Sequence, residues 1–362
     1  MSFFSKKYKS YIGVDIGTSN LKLVELSLKK GKYCLETYGI AEIESDIIRK
    51  SSEEVEVRLS KVLAALVKES EAGAKHASSS IPGFSVFNKV MQLPTMEESQ
   101  IREAIKWEAK KYIPFPIDSL ILNWDIINKD KIKKPALKGL FQRKLAQQDG
   151  IALEIFLTAV PKKVINRYEN IFQKAGLGLE ALEPEISSLA RTLIKPEDQK
   201  KTMAIIDIGS TATEISIIKE GVVCFSRNID VGGKTITQVL MNSLGVNFER
   251  AEQFKKDFGV QLGKNETPDA LKEVVEKLIK SINYSFKLYE SEDKGPVEKV
   301  ILSGGSSKLK GLLEYLLDQL KLEVICGNPW HDVFYPAVLE ESLPEISMEF
   351  AVAVGLAKRG LK

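Results

Sequence analysis

The sequence predicts an α/β protein of two domains that close on a cleft, and three features carry the prediction. The first is a repeat: Tyr11-Ile-Gly-Val-Asp-Ile-Gly-Thr-Ser-Asn-Leu-Lys-Leu-Val-Glu-Leu26 returns as Met203-Ala-Ile-Ile-Asp-Ile-Gly-Ser-Thr-Ala-Thr-Glu-Ile-Ser-Ile-Ile218. In each copy a β-branched apolar run ends in Asp, then come Ile-Gly, two hydroxyl residues and a second alternating run, which is the pattern of a β-hairpin. A buried strand before a glycine turn would account for one copy; two in register point to paired loops facing each other. The second feature is Val300-Ile-Leu-Ser-Gly-Gly-Ser-Ser-Lys-Leu-Lys-Gly-Leu312, a hydrophobic strand that breaks at Gly304-Gly305 and enters a helix. The third is size: 362 residues, 44% hydrophobic and 28% charged, give room for two cores and no sign of disorder.

The residue types in the repeat suit a phosphate chain and its cation. Gly17 and Gly209 remove the side chain where backbone must approach a ligand or take positive φ, and Thr18, Ser19, Asn20 and Lys22, with Ser210 and Thr211, can wrap phosphate. Asp15 and Asp207 end their strands where each would hold a hydrated Mg²⁺ rather than the phosphate itself. Two such hairpins would grip a polyphosphate from both sides. Backbone at Gly304, Gly305 and Ser306, with Lys308 beyond, can pass flat against a nucleoside, and Gly232-Gly233, at a strand-to-helix turn, approaches phosphate from the second domain. Gly233-Lys234-Thr235 mimics the end of a Walker A loop, but that motif needs glycine at position 228, which is Asn228.

Composition removes several function classes. A formal charge of +3, dispersed along the chain, does not make the clustered basic face that nucleic acid requires. No apolar run approaches the roughly 20 residues that span a bilayer and the N-terminus lacks an apolar signal core, so a cytoplasmic protein is expected. Cys34, Cys224 and Cys326 are odd in number and far apart, which reads as reduced thiols. With only His76 and His331 present, a histidine-based metal site or triad is not expected.

In chain order, Met1 to Ser10 reads as a frayed terminus in preference to a membrane-touching segment. Tyr33 to Glu44 alternates as a strand; Val55, Leu59, Val62, Leu63, Leu66 and Val67 fall at helical spacing; Ala77 to Ile81 is a strand. Ile81 to Pro94 reads as one strand, Met96 to Tyr112 as a helix with Ile101, Ile105, Ala109 and Tyr112 on one face, Leu120 to Ile127 and Ile151 to Val160 as strands, and Pro161 to Ala175 as a helix. The lysine-rich stretch 129–150 reads as the solvated tip of a hairpin. Leu179 to Leu193 is strand then helix, Lys195 to Lys201 a polar linker, Phe225 to Val231 a strand, and Pro268 to Glu290 a long amphipathic helix. Leu312 to Leu320 is a helix, Glu323 to Ile325 a strand, and Met348 to Lys358 a helix whose Ala351, Ala353 and Gly355 permit close backbone approach.

The motifs DIGTS, DIGST and LSGGSSKL, in this order, resemble the phosphate 1, phosphate 2 and adenosine motifs of the actin, Hsp70 and sugar-kinase superfamily. A more specific likeness covers essentially the whole chain. Ile81-Pro-Gly83, Leu93-Pro94, Glu103-Ala-Ile-Lys-Trp-Glu-Ala109, Tyr112-Ile-Pro-Phe-Pro-Ile117, Ala159-Val-Pro161, Ala175-Gly-Leu177, Glu183-Pro-Glu185 and Leu189-Ala-Arg191 resemble the PilM family of type IV pilus assembly proteins, relatives of the cell-division protein FtsA. The resemblance implies an actin-like ATPase fold, with two RNase H-like domains, a nucleotide cleft between them and an FtsA-type inserted 1C subdomain. Subdomain 1A would take residues 1–81 and 151–198, 1C 82–150, 2A 199–245 and 294–345, and 2B 246–293, with 346–362 a helix returning to 1A.

The same resemblance implies ATP or ADP with Mg²⁺, slow or undetectable hydrolysis, and docking of the cytoplasmic N-terminal peptide of the inner-membrane protein PilN in the cleft beside 1C. Val90, Trp107, Tyr112, Phe115 and Trp124 are the candidates for that groove; the alternative is that they form the small subdomain's own core. Glu185 would help orient an attacking water, with Asp207 as a second catalytic candidate, or else be a carboxylate stabilised at a helix N-terminus. Glu249-Arg-Ala-Glu-Gln-Phe-Lys255 resembles the family's Ala-Glu-x-x-Lys signature, which would turn Glu252 and Lys255 toward the nucleoside; a surface ion pair is the alternative. Pilus motor ATPases and further copies of the chain are additional candidate partners, and the membrane is expected only through the partner, on the cytoplasmic face of the inner membrane. Competing functions are an FtsA-like or MreB-like filament-forming ATPase, a small-molecule kinase, for which no extra acidic motif lies between the phosphate loops, and a GspL-like adaptor of type II secretion.

Overall fold

The computed structural model describes residues 8–94, 96–127, 153–260, 269–291 and 294–361, so the first seven residues and the lysine-rich stretch 129–150 lie outside the described residues. Ser10–Ile16 (β1) and Asn20–Lys29 (β2) form the first hairpin, with Asp15 opposite Lys22, and Lys32–Glu42 (β3) continues the meander. Tyr11 to Ile16 are all buried, as a strand covered on both faces demands. Glu53–Glu69 (α1) starts at Ser52, whose side chain accepts from the Val55 N–H, and lays Val55, Leu59, Leu63 and Leu66 on the sheet. His76–Ile81 (β4) then pairs parallel to β1.

The single strand expected from Ile81 to Pro94 does not form. Pro82 has no N–H to continue a ladder, and the chain turns through Gly83–Ser85 and restarts as Phe87–Leu93 (β5) in a different sheet. Glu98–Ala109 (α2), Leu120–Ile126 (β6) and Leu153–Pro161 (β7) complete this insertion. Its antiparallel sheet runs β5-β7-β6, with Ile101, Ile105 and Ala109 of α2 packed over Met91, Leu93, Ile155 and Leu157. Because β7 is the central strand, the insertion extends to Pro161 rather than the expected 150. The helix stops at Ala109, which leaves Tyr112 beyond it and exposed instead of on its buried face.

Lys162–Lys174 (α3), Gly178–Pro184 (β8) and Glu185–Leu193 (α4) return to the first domain. The second repeat builds Thr202–Ile208 (β9) and Thr213–Lys219 (β10), followed by Val222–Ile229 (β11), Gly233–Leu244 (α5), Phe248–Phe258 (α6) and Asp269–Glu290 (α7). Lys299–Ser303 (β12), Leu312–Leu320 (α8) and Glu323–Cys326 (β13) close a five-stranded sheet ordered β11-β10-β9-β12-β13. Val333–Phe334 (β14) pairs with β3, so the chain re-enters the first domain before the expected residue 346, and the first sheet is ordered β14-β3-β2-β1-β4-β8.

Ser342–Gly360 (α9) belongs to both domains. Phe350, Ala353, Val354 and Ala357 pack with Tyr11, Val24 and Leu26, while Ala351, Val352 and Leu356 pack with Met203, Ile205 and Ile301. A Cβ on Gly13 would sit 2.0 Å from the Ala353 carbonyl oxygen, and one on Gly355 2.2 Å from that of Ser188, so helix backbone lies directly on β1 and on α4. Overpacking typically costs about 1–3 kcal/mol, and backbone yields less than a side-chain tip does. Gly355→Ala should therefore destabilise the protein by about 3 kcal/mol, read as a lower urea midpoint; an unchanged midpoint would show that α9 does not seat this tightly.

Candidate functional site

The two hairpin loops meet at the floor of a cavity of about 610 Å³ between the domains. Each turn is closed in the same way: Gly17 N–H donates to the Asn20 carbonyl at 2.9 Å and Gly209 N–H to the Ala212 carbonyl at 2.9 Å. A Cβ on either glycine would lie 3.1 Å from that oxygen, and neither takes positive φ. Tightness of the turn, not left-handed backbone, is what requires glycine here. Ser19 Oγ donates to Ser210 Oγ at 2.6 Å, so the loops touch. The Gly232-Gly233 turn and the Gly304-Gly305 turn are fastened to the second loop: Gly233 N–H donates to Gly209 O at 3.0 Å, Lys234 N–H to Ser210 O at 2.8 Å, and Ser306 Oγ to Gly209 O at 2.8 Å.

The floor carries more acid than base. Lys22 Nζ pairs with Asp15 Oδ2 at 3.2 Å, and Ser80 Oγ donates to Asp15 Oδ1 at 3.0 Å. Burial alone would push the Lys22 ammonium down, but Asp15, Glu349 and Asp207 outweigh it and hold the pKa above the ordinary lysine value. Glu185, first residue of α4, is driven well above the carboxylate range by burial and then by Asp15, Asp207 and Glu214. Asp207 is raised to about 6 by burial, against a hydrogen bond from Ser303 and with help from Asp15. Glu214, directly across the ladder from Asp207, is raised to about 7 by burial, opposed by Ser226 and reinforced by Asp207. A divalent cation would relieve this excess. Among the described residues no group of three or more His, Cys, Asp or Glu is placed to hold a metal directly.

Most residues singled out from sequence line this cavity: Asp15, Gly17, Thr18, Ser19, Asn20, Lys22, Glu185, Asp207, Gly209, Ser210, Gly233, Glu252, Lys255, Gly304, Gly305 and Ser306. Three do not. Gly232 is covered by the second loop, where a Cβ would lie 2.7 Å from Ser210 O; Thr211 buries its hydroxyl without a partner; Lys308 turns to Glu349 of α9 at 2.9 Å. Glu252 and Lys255 pair at 2.6 Å with side chains mostly buried in the cleft wall, and Lys255 Nζ also donates to Thr237 Oγ1 at 2.9 Å, so this is not a surface pair. Glu214, Asn228, Phe248 and Glu349 line the cavity unforeseen. Glu214 had a signal, since it occupies in the second repeat the place Lys22 holds in the first.

The five partner candidates do not form one surface. Trp107 and Phe115 are 68% and 60% exposed, with Tyr112 beside them in sequence also exposed. Trp124 is half-buried in the seam under α2, its ring facing Arg102 at 5.6 Å. Val90 lies opposite Phe156 and packs against the α4 and α9 core, on the other face of the insertion's sheet, because alternate residues of a strand point opposite ways. A second cavity, of about 650 Å³, opens where the insertion meets the first domain; Arg49, Ser52, Phe84, Lys163 and Arg167 are among its walls.

The sequence profile of the type IV pilus assembly protein PilM matches residues 13–361. Among characterised relatives, the cell division protein FtsA of Enterococcus faecalis is 22% identical over 89% of this chain and 79% of its own length. The ethanolamine utilization protein EutJ of Escherichia coli is 28% identical over 52% of this chain and 63% of its own length. Among solved structures, a PilM-PilN type IV pilus biogenesis complex superposes with a TM-score of 0.80 at 24% identity, covering 98% of this chain and 99% of that one. MreB 5 of Spiroplasma citri bound to AMPPNP superposes with a TM-score of 0.50 at 14% identity, over 96% of this chain and 95% of that one. The fold is that of the actin-like ATPases.

The shifted Asp207 makes a prediction with a definite sign. A carboxyl held at about 6 in the folded state against 3.8 unfolded binds its proton more tightly when folded. The stability of the free protein therefore falls as pH rises between those values, and the whole cost is present above about pH 6. Asp207→Asn removes that cost. Without nucleotide or metal, the variant should be more stable than the parent by about 1–3 kcal/mol at pH 8, with the gap closing near pH 4, in paired urea titrations; a variant that is less stable at pH 8 contradicts the assignment.

Proposed function

The chain belongs to the PilM family of type IV pilus assembly proteins, and from that premise we propose that it binds ATP or ADP with Mg²⁺ between its two hairpins and couples the nucleotide state to docking of a PilN-type N-terminal peptide beside the inserted subdomain. Ser19, Ser210 and Lys22 meet the phosphates, Lys234 adds charge from the second domain, and Asp15 and Asp207 hold the hydrated metal. The bound cation would supply charge neutralisation for the phosphates and for the acidic floor. Glu185, whose carboxyl is held well above the ordinary range by burial and by Asp15, Asp207 and Glu214, is the group proposed to face an attacking water. On this proposal the chain sits on the cytoplasmic face of the inner membrane, held there by its partner, within reach of pilus motor ATPases and of other copies of itself.

The observation that carries the coupling is a shared wall. Phe84 lines both the nucleotide cavity and the seam cavity, and the Arg49 guanidinium lies over its ring at 4.0 Å. A strap of backbone ties that wall to the first phosphate loop: Ile43 N–H donates to Ser19 O at 2.9 Å, Asp46 N–H to Thr18 O at 2.8 Å, and Arg49 Nε to Asp46 Oδ1 at 3.1 Å. On the groove side Arg167 Nη1 donates to Ile48 O at 2.6 Å. The second domain touches the same wall, with Asp230 4.0 Å from Arg49 and the Asn228 side chain filling the space beside Gly83. Tyr112 and Phe115, exposed between α2 and β6 of the insertion, are proposed as an apolar rim of the peptide groove outside the seam cavity itself.

Titration calorimetry on the full chain tests the coupling. ATP·Mg²⁺ and a synthetic partner N-terminal peptide should change each other's affinity by one and the same factor, by linkage. Phe84→Ala should leave each ligand binding alone yet bring that factor close to one. Independent binding in the parent protein would refute the coupling, and loss of peptide affinity in Phe115→Ala, with folding intact, would support the rim.

A further inference from the structure

We propose that Phe248 is the platform on which the nucleobase stacks, an inference that rests on the nucleotide reading of the cleft and specifies how the far end of the ligand is held. Phe248, Glu252 and Lys255 are spaced four and three residues apart along α6, so they share one face, and all three line the cavity. Their contacts order them along it. Lys255 Nζ reaches Gly233 O at 3.4 Å, next to the second phosphate loop, and Glu252 is bonded by Thr237 of α5. Phe248 lies one further turn out, about 6 Å along the helix axis from Glu252. That ladder follows the order of a nucleotide: phosphates at the loops, ribose at the Glu252–Lys255 pair, base at Phe248.

The chemistry at the outer rung suits a flat ring. Phe248 is 45% exposed, and among the described residues it joins none of the hydrophobic clusters, unlike Phe254 of the same helix, which packs against the second domain's core and stacks on Phe258 at 4.4 Å. The Gly304-Gly305 turn lines the same cavity with bare backbone; Gly304 takes φ +85°, and a Cβ there would lie 2.4 Å from Ile208 O, so no side chain can project from that point. The exposed aromatic face of Phe248 gives a purine a surface to stack on at the outer end of the cavity, without hydrogen bonds to the base's edge.

Calorimetry with two probes, ATP·Mg²⁺ and inorganic tripolyphosphate·Mg²⁺, isolates the base. Phe248→Ala should weaken ATP binding by roughly 10- to 100-fold and leave tripolyphosphate binding unchanged, while Phe248→Trp keeps ATP affinity within a few-fold of the parent. Parental ATP affinity in Phe248→Ala, or an equal loss for both probes, overturns the inference and leaves the cleft reading standing. A parent protein that binds neither probe removes the cleft reading and this inference together.

Discussion

Charge balance at the floor of the cleft is the constraint on which the rest depends. Asp15, Glu185 and Lys22 come from the first domain; Asp207 and Glu214 come from the second. Each of Glu185, Asp207 and Glu214 is raised by burial and further by another carboxylate of the group, and Lys22 is committed to Asp15. Like charges facing each other across a domain boundary repel, and the raised pKa values are the signature of that repulsion and of burial. A cation with its phosphates turns the same groups from a repulsive pair of faces into a bridged one. On the proposed function, closure would depend on the ligand, because the acids that oppose it are those that would hold the metal.

The helix α9 ties the two domains together at the base of the cleft. Its two faces belong to different cores, and its backbone lies on β1 at Gly13 and on α4 at Gly355. Away from α9 the domains meet through the Ser19–Ser210 hydrogen bond, the Arg49–Asp230 approach, the packing of Asn228 beside Gly83, and the insertion, whose Val90 and Phe156 pack with Ile218 and Val223. Lys308, expected at the nucleoside, instead pins Glu349 of this helix to the turn after β12.

What could be read from the sequence was whatever local backbone geometry dictates. The two hairpins were legible because a turn closed three residues on leaves only glycine at its first position, twice, in the same register. The long helices and the adenosine-type turn followed from apolar spacing in the same way. Features set by distant packing were not legible. Trp124 is on the packed side of β6, whose other side, with Ile121, Asn123 and Asp125, is exposed, while Val90 is buried by α4 and α9, elements far from it in the chain. The two-residue β14 carries no pattern of its own and exists only because β3 offers an edge. Gly232 and Thr211 share letters with the phosphate-binding residues but are turned away by their neighbours. Glu214 was visible only by aligning the repeats and noticing that the place of Lys22 had changed sign.

That change of sign separates the roles of the two hairpins. In the first, Asp15 is neutralised from within by Lys22 and tied by Ser80 to β4. In the second, Asp207 faces Glu214 and has no cation across its ladder. The second hairpin is therefore the one whose acids stay uncompensated across the ladder, and the first is the one tied to the structure behind it. Four residues after Ser80, the chain of β4 has passed Pro82 and Gly83 and become Phe84, the wall of the seam groove. Any displacement of Asp15 as the second domain settles on a shared ligand has a short, stiff route along one buried strand to the place where a partner would sit. An insertion attached anywhere else on the first domain would lack that route. Its position at the end of β4 is what gives the proposed coupling a short path between the two cavities.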